Sequence, residues 1–357
     1  MISEMTLEDY FYSFEDKPDN FPGRHNYVSA YKTFKDIMDR EVHKETKSMT
    51  LVKDKGEIYL NDHSTDHIQM VMEKVSKILW SEGSAIENLN PLECFILLSA
   101  IQIHDAGHVI GGREHHEYNA KEFLKRYDNY VVGSPEKKII YEIARAHSGK
   151  EDPIGKLPQS QDISNFNVRM RLLAALLRLG DEMADESSRA STLLFDEDKI
   201  VEESRLFHAF SMSLNSFLPH VDTQEIRMRF NLNKSRCCEV FKKPTKGGGE
   251  LDTYLLDEIY ERTFKTFHEC LYYNRFVSDK LRFNSVSVTI EFYDDENFEP
   301  FFDTIGYRLE EKGYPRLQEE NVYALCGKDL EKDGAKLNGE FVKNNMRADG
   351  NQEQQPV

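Results

Sequence analysis

Residues 91–105 read PLECFILLSAIQIHD, and no other stretch constrains the fold as strongly. It is apolar almost throughout, yet the chain has no run of about 18 apolar residues, the length needed to cross a bilayer. A helix of this composition belongs inside a protein core, covered on all sides. It ends at His104 and Asp105. Ionisable groups at the end of a buried helix are costly unless they are paired or bound to a metal.

Other segments around it follow the same plan. DHSTDHIQMVMEKVSKILW reads as a helix that carries His67, with His63 as an alternative just before it. EHHEYNAKEFLKRY opens on His115 and His116, PEKKIIYEIARAHS ends at His147, and NVRMRLLAALLRLGDEMADE leads into Asp181. Apolar residues recur in these segments at helical spacing. Gly and Pro punctuate them in EGS, GHVIGGRE, VGSPE and GKEDPIGKLPQS. Imidazole and carboxylate together suit Zn, Mn, Fe or Ni, and a carboxylate can bridge two ions. Each residue alone reads as an ordinary helix histidine or a charged cap. Their joint placement at helix ends within one domain points to a metal centre.

The order His67, His104-Asp105, His115/His116, His147, Asp181 resembles that of the HD superfamily of metal-dependent phosphohydrolases. SAIQIHDAGH is similar to that family's apolar helix and HD core. IARAHSG and LLRLGDEMADESSRA are similar to its later motifs, including Arg189 after the Asp. The resemblance spans roughly residues 60 to 190. It implies a mainly α fold, a helical bundle cradling one or two divalent ions (Mn, Mg, Fe, Ni or Zn), and hydrolysis of a nucleotide phosphoester by a metal-activated water. Carried over residue by residue, it implies His67, His104, Asp105 and Asp181 at the first ion. Asp105 would bridge to a second ion held by His147 and by His115 or His116. It further implies that Asp105 acts in catalysis, with His116 or His108 donating a proton to the leaving group. Arg113, Arg145, Lys150, Arg178 and Arg189 lie near these residues in sequence and are candidate phosphate holders, although each alone reads as a solvated charge. His116-Glu117 and the HDxGH run favour a nucleoside triphosphate triphosphohydrolase acting on deoxynucleotides. His147, together with Ser64 and EMAD where that branch carries Arg and Tyr, favours a phosphodiesterase or pyrophosphohydrolase of a cyclic or dinucleoside signal. A nucleotide-sensing regulatory module is a third reading.

Lys plus Arg number 46 against 63 Asp plus Glu, a formal charge of −17. So acidic a chain is expected to bind neither nucleic acid strongly nor anionic membranes. Handling phosphate then needs a local inversion of the field, by a metal or a small Arg/Lys cluster. The first 30 residues are acidic and aromatic, unlike a signal peptide, and the five cysteines include no CxxC. Both features fit a cytoplasmic chain with reduced thiols.

Residues 1–60 read as a helical extension, 61–212 as the metal-binding domain and 213–330 as a smaller α+β domain. In the last, EIRMRFNL, RCCEVF and SVSVTIEFYD read as strands and NFEPFFDTIGYRLEEKG as a helix. KKPTKGGGE lacks the P-loop pattern and reads as a hairpin tip. Residues 331–357 are polar and expected to be disordered. The aromatic-rich segments suggest core packing and a homo-oligomer contact. Beyond a nucleotide substrate, an allosteric nucleotide is the other partner considered.

Overall fold

The computed structural model describes residues 5–44, 65–81, 84–85, 87–107, 121–125, 132–149, 151–184, 195, 200, 202–245, 249–311 and 321–346. It is about 53% helix and 19% strand, so the fold is a mixture of α and β with helix dominant. The chain divides into two compact units. The first comprises Met1–Asp185, Leu218–Glu225 and Glu269–Asn284, and the second Glu186–Phe217, Ile226–His268 and Ser285–Val357. Each unit is thus built from three separate segments of the chain.

Six helices of the first unit matter here: α1 (Leu7–Tyr12), α2 (Tyr27–Ile37), α3 (Thr65–Leu79), α4 (Pro91–Ile103), α5 (Ser134–Arg145) and α6 (Met170–Glu182). Two small hairpins accompany them, β1 (Trp80–Ser81) with β2 (Ser84–Ala85) and β3 (Gln161–Ile163) with β4 (Phe166–Val168). Every residue of α4 from Leu92 to Ile103 is buried, as its composition demands. Helices α3, α5 and α6 pack against it, and α1 and α2 cover it with Phe11, Tyr27, Tyr31 and Phe34. A π-helical turn, Met38–His43, follows α2 and buries His43 against Gln102, 2.9 Å away.

Two devices fix the register of these helices. At the start of α4, Asn90 and Glu93 form a capping box. Glu93, 1% exposed, also takes Arg169, the residue just before α6, through bonds of 2.8 and 2.7 Å. Arg169 reaches Glu87 and the Asn88 carbonyl as well. From this tie, eleven residues of α4 lead to His104 and twelve of α6 to Asp181. At 1.5 Å per residue these are about 16 and 18 Å, so the two helices deliver their acidic and imidazole ends to one level. The second device is Gly180. A Cβ there would stand 2.5 Å from Val75 Cγ2 and 3.4 Å from the Val71 carbonyl, so glycine sets the close approach of α6 to α3.

The second unit centres on a four-stranded sheet in the order β10-β9-β6-β5, with β5 (Leu214–His220), β6 (Glu225–Asn233), β9 (Ser285–Tyr293) and β10 (Ile305–Glu310), of which the end of β5 from Leu218 and the first residue of β6 fall in the first unit. The β7 (Phe241–Pro244) and β8 (Glu250–Thr253) hairpin accompanies it. So do α7 (Glu202–Ser213), α8 (Lys234–Cys238) and α9 (Leu255–Tyr273), whose last residues belong to the first unit. Thr263 of α9 meets the Tyr307 hydroxyl of β10 at 2.6 Å.

Three expectations are corrected here. RCCEVF is not a strand: Asn233 accepts the Arg236 N–H and caps α8 instead. The segment expected as a last helix contains β10, where Ile305, Tyr307 and Leu309 alternate inward and pair antiparallel with β9. The polar stretch from 331 is ordered as far as Met346, through β11 (Glu331–Lys332), β12 (Ala335–Lys336) and the short helix α11 (Gly339–Asn344), which follows α10 (Val322–Cys326). There the Tyr260 hydroxyl bonds the Leu337 carbonyl, and Val342 is fully buried. The glycine-rich segment joins β7 to β8, and its Lys243 is committed to Glu258 and Glu261, at 2.6 Å each.

Candidate metal centre

The ends of α4 and α6 meet the first turn of α3. His67, His104, Asp105 and Asp181 come together with one ligand atom of each within 4.8 Å of the others. His67 Nε2 lies 3.2 Å from Asp181 Oδ1 and 3.6 Å from Asp105 Oδ2. His104 Nε2 lies 3.5 and 3.4 Å from the same two oxygens. Both imidazoles are fully buried as side chains, and Asp105 is nearly so. His147 approaches from the end of α5, its Nε2 3.6 Å from Asp105 Oδ1. Asp105 thus turns one oxygen to His67 and His104 and the other to His147.

His104 donates Nδ1–H to the Ile101 carbonyl at 2.8 Å, and His147 makes the same bond to the Ala144 carbonyl. A backbone bond of this kind fixes a ring's orientation and presents Nε2 as the working atom. Burial works against a charged His104, yet Asp105 and Asp181 hold its pKa well above the usual histidine range. Burial likewise pushes the Asp181 carboxyl up, but His104 and His67 hold it well below the usual range. The two carboxylates therefore demand positive charge between them.

The geometry suits a cation in that role. His104 Nε2 is buried and makes no hydrogen bond among the described residues. The N···O separations of 3.2–3.6 Å are long for hydrogen bonds. They overlap the roughly 3.0–3.4 Å between neighbouring ligands of an ion with bonds of about 2.1 Å and exceed it by about 0.2 Å at most. The donor set of imidazole and carboxylate fits a first-row divalent ion.

The remaining expected residues divide into two groups. Arg145 is exposed and, with Ser148, Gly149 and Lys156, lines a cleft of about 450 Å³ beside His147 in the chain. Arg178 is elsewhere engaged: Glu269 grips its guanidinium bidentately at 2.6 and 2.8 Å, so the fork expected to hold phosphate is already filled. His63, His108, Arg113, His115, His116, Glu117, Lys150 and Arg189 lie outside the described residues. Sequence reasoning missed Gly180, Arg169 and the partners of Arg178. Arg169 had a signal, since it directly precedes an apolar helical run.

The profile of the HD-CE family matches residues 57–263, more than half of the chain and all five clustered residues. The chain belongs to the HD-CE family. Comparison with curated proteins finds no match. Comparison with solved structures finds none either. The sheet strands β9 and β10 and the N-terminal helices α1 and α2 lie outside the HD-CE match.

Proposed function

We propose that the chain is a metal-dependent phosphohydrolase that cleaves a nucleotide phosphoester. The observation that carries this reading is the buried convergence of His67, His104, Asp105 and Asp181, with His147 on the far oxygen of Asp105. A divalent ion, when bound, supplies Lewis acidity that acidifies water and neutralises phosphoryl charge. His67, His104 and Asp181 would hold the first ion, and Asp105 would bridge to a second held by His147. The low exposure of these groups keeps bulk water from competing for them. Asp181, at 27% exposure, is the most open of them and marks the side from which substrate reaches the centre. Arg145 and Lys156 would hold anionic parts of the substrate in the cleft formed by the residues that flank His147 in the chain. Proton donation by His116 or His108 belongs to the same proposal.

Two substrates fit. A deoxynucleoside triphosphate, cleaved to nucleoside and triphosphate, fits His116-Glu117 in the sequence. His147, whose Nε2 lies 3.6 Å from Asp105 Oδ1, supports a cyclic or dinucleoside phosphate, since it would serve a second ion. The test is chromatography of products from a panel of NTPs, dNTPs and cyclic and dinucleoside phosphates. Each is supplied with Mn, Mg, Ni or Zn, and the Asp105→Ala variant runs alongside. Inorganic triphosphate from a dNTP, absent in the variant, supports the first substrate. A nucleoside monophosphate from a cyclic or dinucleoside phosphate supports the second. Absence of any product from a protein that also purifies without metal would overturn the hydrolase reading and leave a regulatory module.

A further inference from the structure

The segment that follows His147 is pinned by a network the proposed chemistry does not use. Asp152 adopts φ +54, in the left-handed region, which a non-glycine residue keeps only when its surroundings hold it there. The Tyr272 hydroxyl donates to Asp152 Oδ1 at 2.9 Å and accepts the Ile154 N–H at 3.0 Å. Arg275 donates to both Asp152 oxygens, at 3.3 and 3.0 Å. One turn before Asp181, Arg178 donates to the Gly149 carbonyl at 3.2 Å. The guanidinium carbons of Arg178 and Arg275 lie 5.0 and 5.2 Å from the centre of the Tyr272 ring. All of these residues belong to the first unit.

The network reaches the metal centre by two short routes. Gly149 is two residues after His147, and Arg178 is three residues before Asp181. The imidazole of His147 is oriented by its bond to the Ala144 carbonyl, so its distance from Asp105 depends on where the backbone after α5 is held. We propose that Tyr272 and Asp152 are positioning residues for His147, holding the segment after it so that Nε2 faces Asp105 at the second-ion side of the centre. The proposal rests on the two-ion reading given above. It places the second ion, a divalent cation on His147 and Asp105, under the control of a hydroxyl on another helix.

Tyr272→Phe keeps the ring and both cation stacks and removes only the hydroxyl. Asp152→Asn keeps an acceptor for Tyr272, tolerates the left-handed backbone, and drops the charge that faces Arg275. The metal-stripped full chain and both variants are titrated with Mn²⁺ by calorimetry, and their melting is recorded. Wild type is expected to bind two ions. In Tyr272→Phe the second is expected to bind about tenfold or more weakly, as for other residues that orient a ligand. The first ion is expected to bind as in wild type, with melting almost unchanged. Asp152→Asn is expected to fall between the two. Equal binding of both ions in wild type and both variants would overturn the proposal alone, as would parallel weakening of both ions with a lowered melting temperature. A wild type that binds one ion would overturn the two-ion reading, and the proposal with it.

Discussion

Gly180→Ala tests whether helix spacing sets the candidate metal centre. The new Cβ would stand 2.5 Å from Val75 Cγ2, whereas carbon atoms rest at about 3.5–4.0 Å. Val75 is fully buried, and a β-branched side chain in a helix has one dominant rotamer, so it cannot swing aside. The contact is relieved by opening α3 from α6 by roughly 1 Å, the shortfall in that separation. Such overpacking costs about 1–3 kcal/mol, offset by about 0.5–1 kcal/mol from replacing a mid-helix glycine. The net effect is a loss of about 0–2.5 kcal/mol, which lowers melting by up to about 10 °C. The consequence for the site is larger. Asp181 adjoins Gly180, His67 lies two turns before Val75, and their ligand atoms are 3.2 Å apart. Ligand distances tolerate about 0.2 Å, so copurifying metal is expected to fall more than tenfold. Melting curves with and without Mn²⁺, together with elemental analysis, provide the measurement. Val75→Ala in the same background removes the clashing methyl, and the double-mutant cycle should show a favourable coupling of about 1 kcal/mol or more. A Gly180→Ala protein that melts higher than its parent and retains its metal would refute the reasoning.

Two further predictions follow from the same helices. Arg169→Ala leaves the Glu93 carboxylate buried without its cation. It is expected to cost about 3 kcal/mol in denaturant unfolding, the low end for a broken buried pair because the arginine is partly solvated. Glu93→Gln in that background should recover part of the loss. His43 is pushed down to about 4 by burial, against the opposing bond from Gln102. Its contribution is fully present above the unfolded value of about 6.5 and is lost as pH falls toward 4, because the unfolded chain takes up the proton first. A shift of that size is worth about 3 kcal/mol. His43→Asn should therefore lose about that much less stability than wild type between pH 7 and pH 4, and identical acid profiles would contradict it.

The helices α3, α5 and α6 were legible because their apolar residues keep helical spacing, and α4 because it is apolar throughout; Asn90 and Pro91 mark the start of α4, Gly133 and Pro135 that of α5. The β10 segment misled because its aromatic and charged residues, read alone, fit either period. Pairing with β9 decides it, and that partner lies more than ten residues away. The tail from 331 was read as disordered from composition. What orders it is tertiary: the Leu337 carbonyl on Tyr260, and Gly339 close enough to the Tyr254 ring that a Cβ would overlap it. Polar composition does not reveal such contacts.

The candidate site was legible for a related reason, and its limits are informative. A buried helix cannot end on His104-Asp105 without partners, so the sequence announces that ligands must converge there. It does not announce how far apart they end. That distance depends on register, and register is set by pairs without periodicity: Arg169 on Glu93 at one end of the helices, and Gly180 on Val75 near the other. The same holds for Arg178, which its position one turn before Asp181 suggested for phosphate. Its bidentate partner Glu269 is 91 residues away, and only the fold brings the two together. Residue type identifies which groups can bind a metal, while glycine, ion pairs and one tyrosine hydroxyl decide whether they meet at bonding distance. The sensitivity of the centre should therefore be greatest at residues that would hold no ion themselves, Gly180 and Tyr272 first among them.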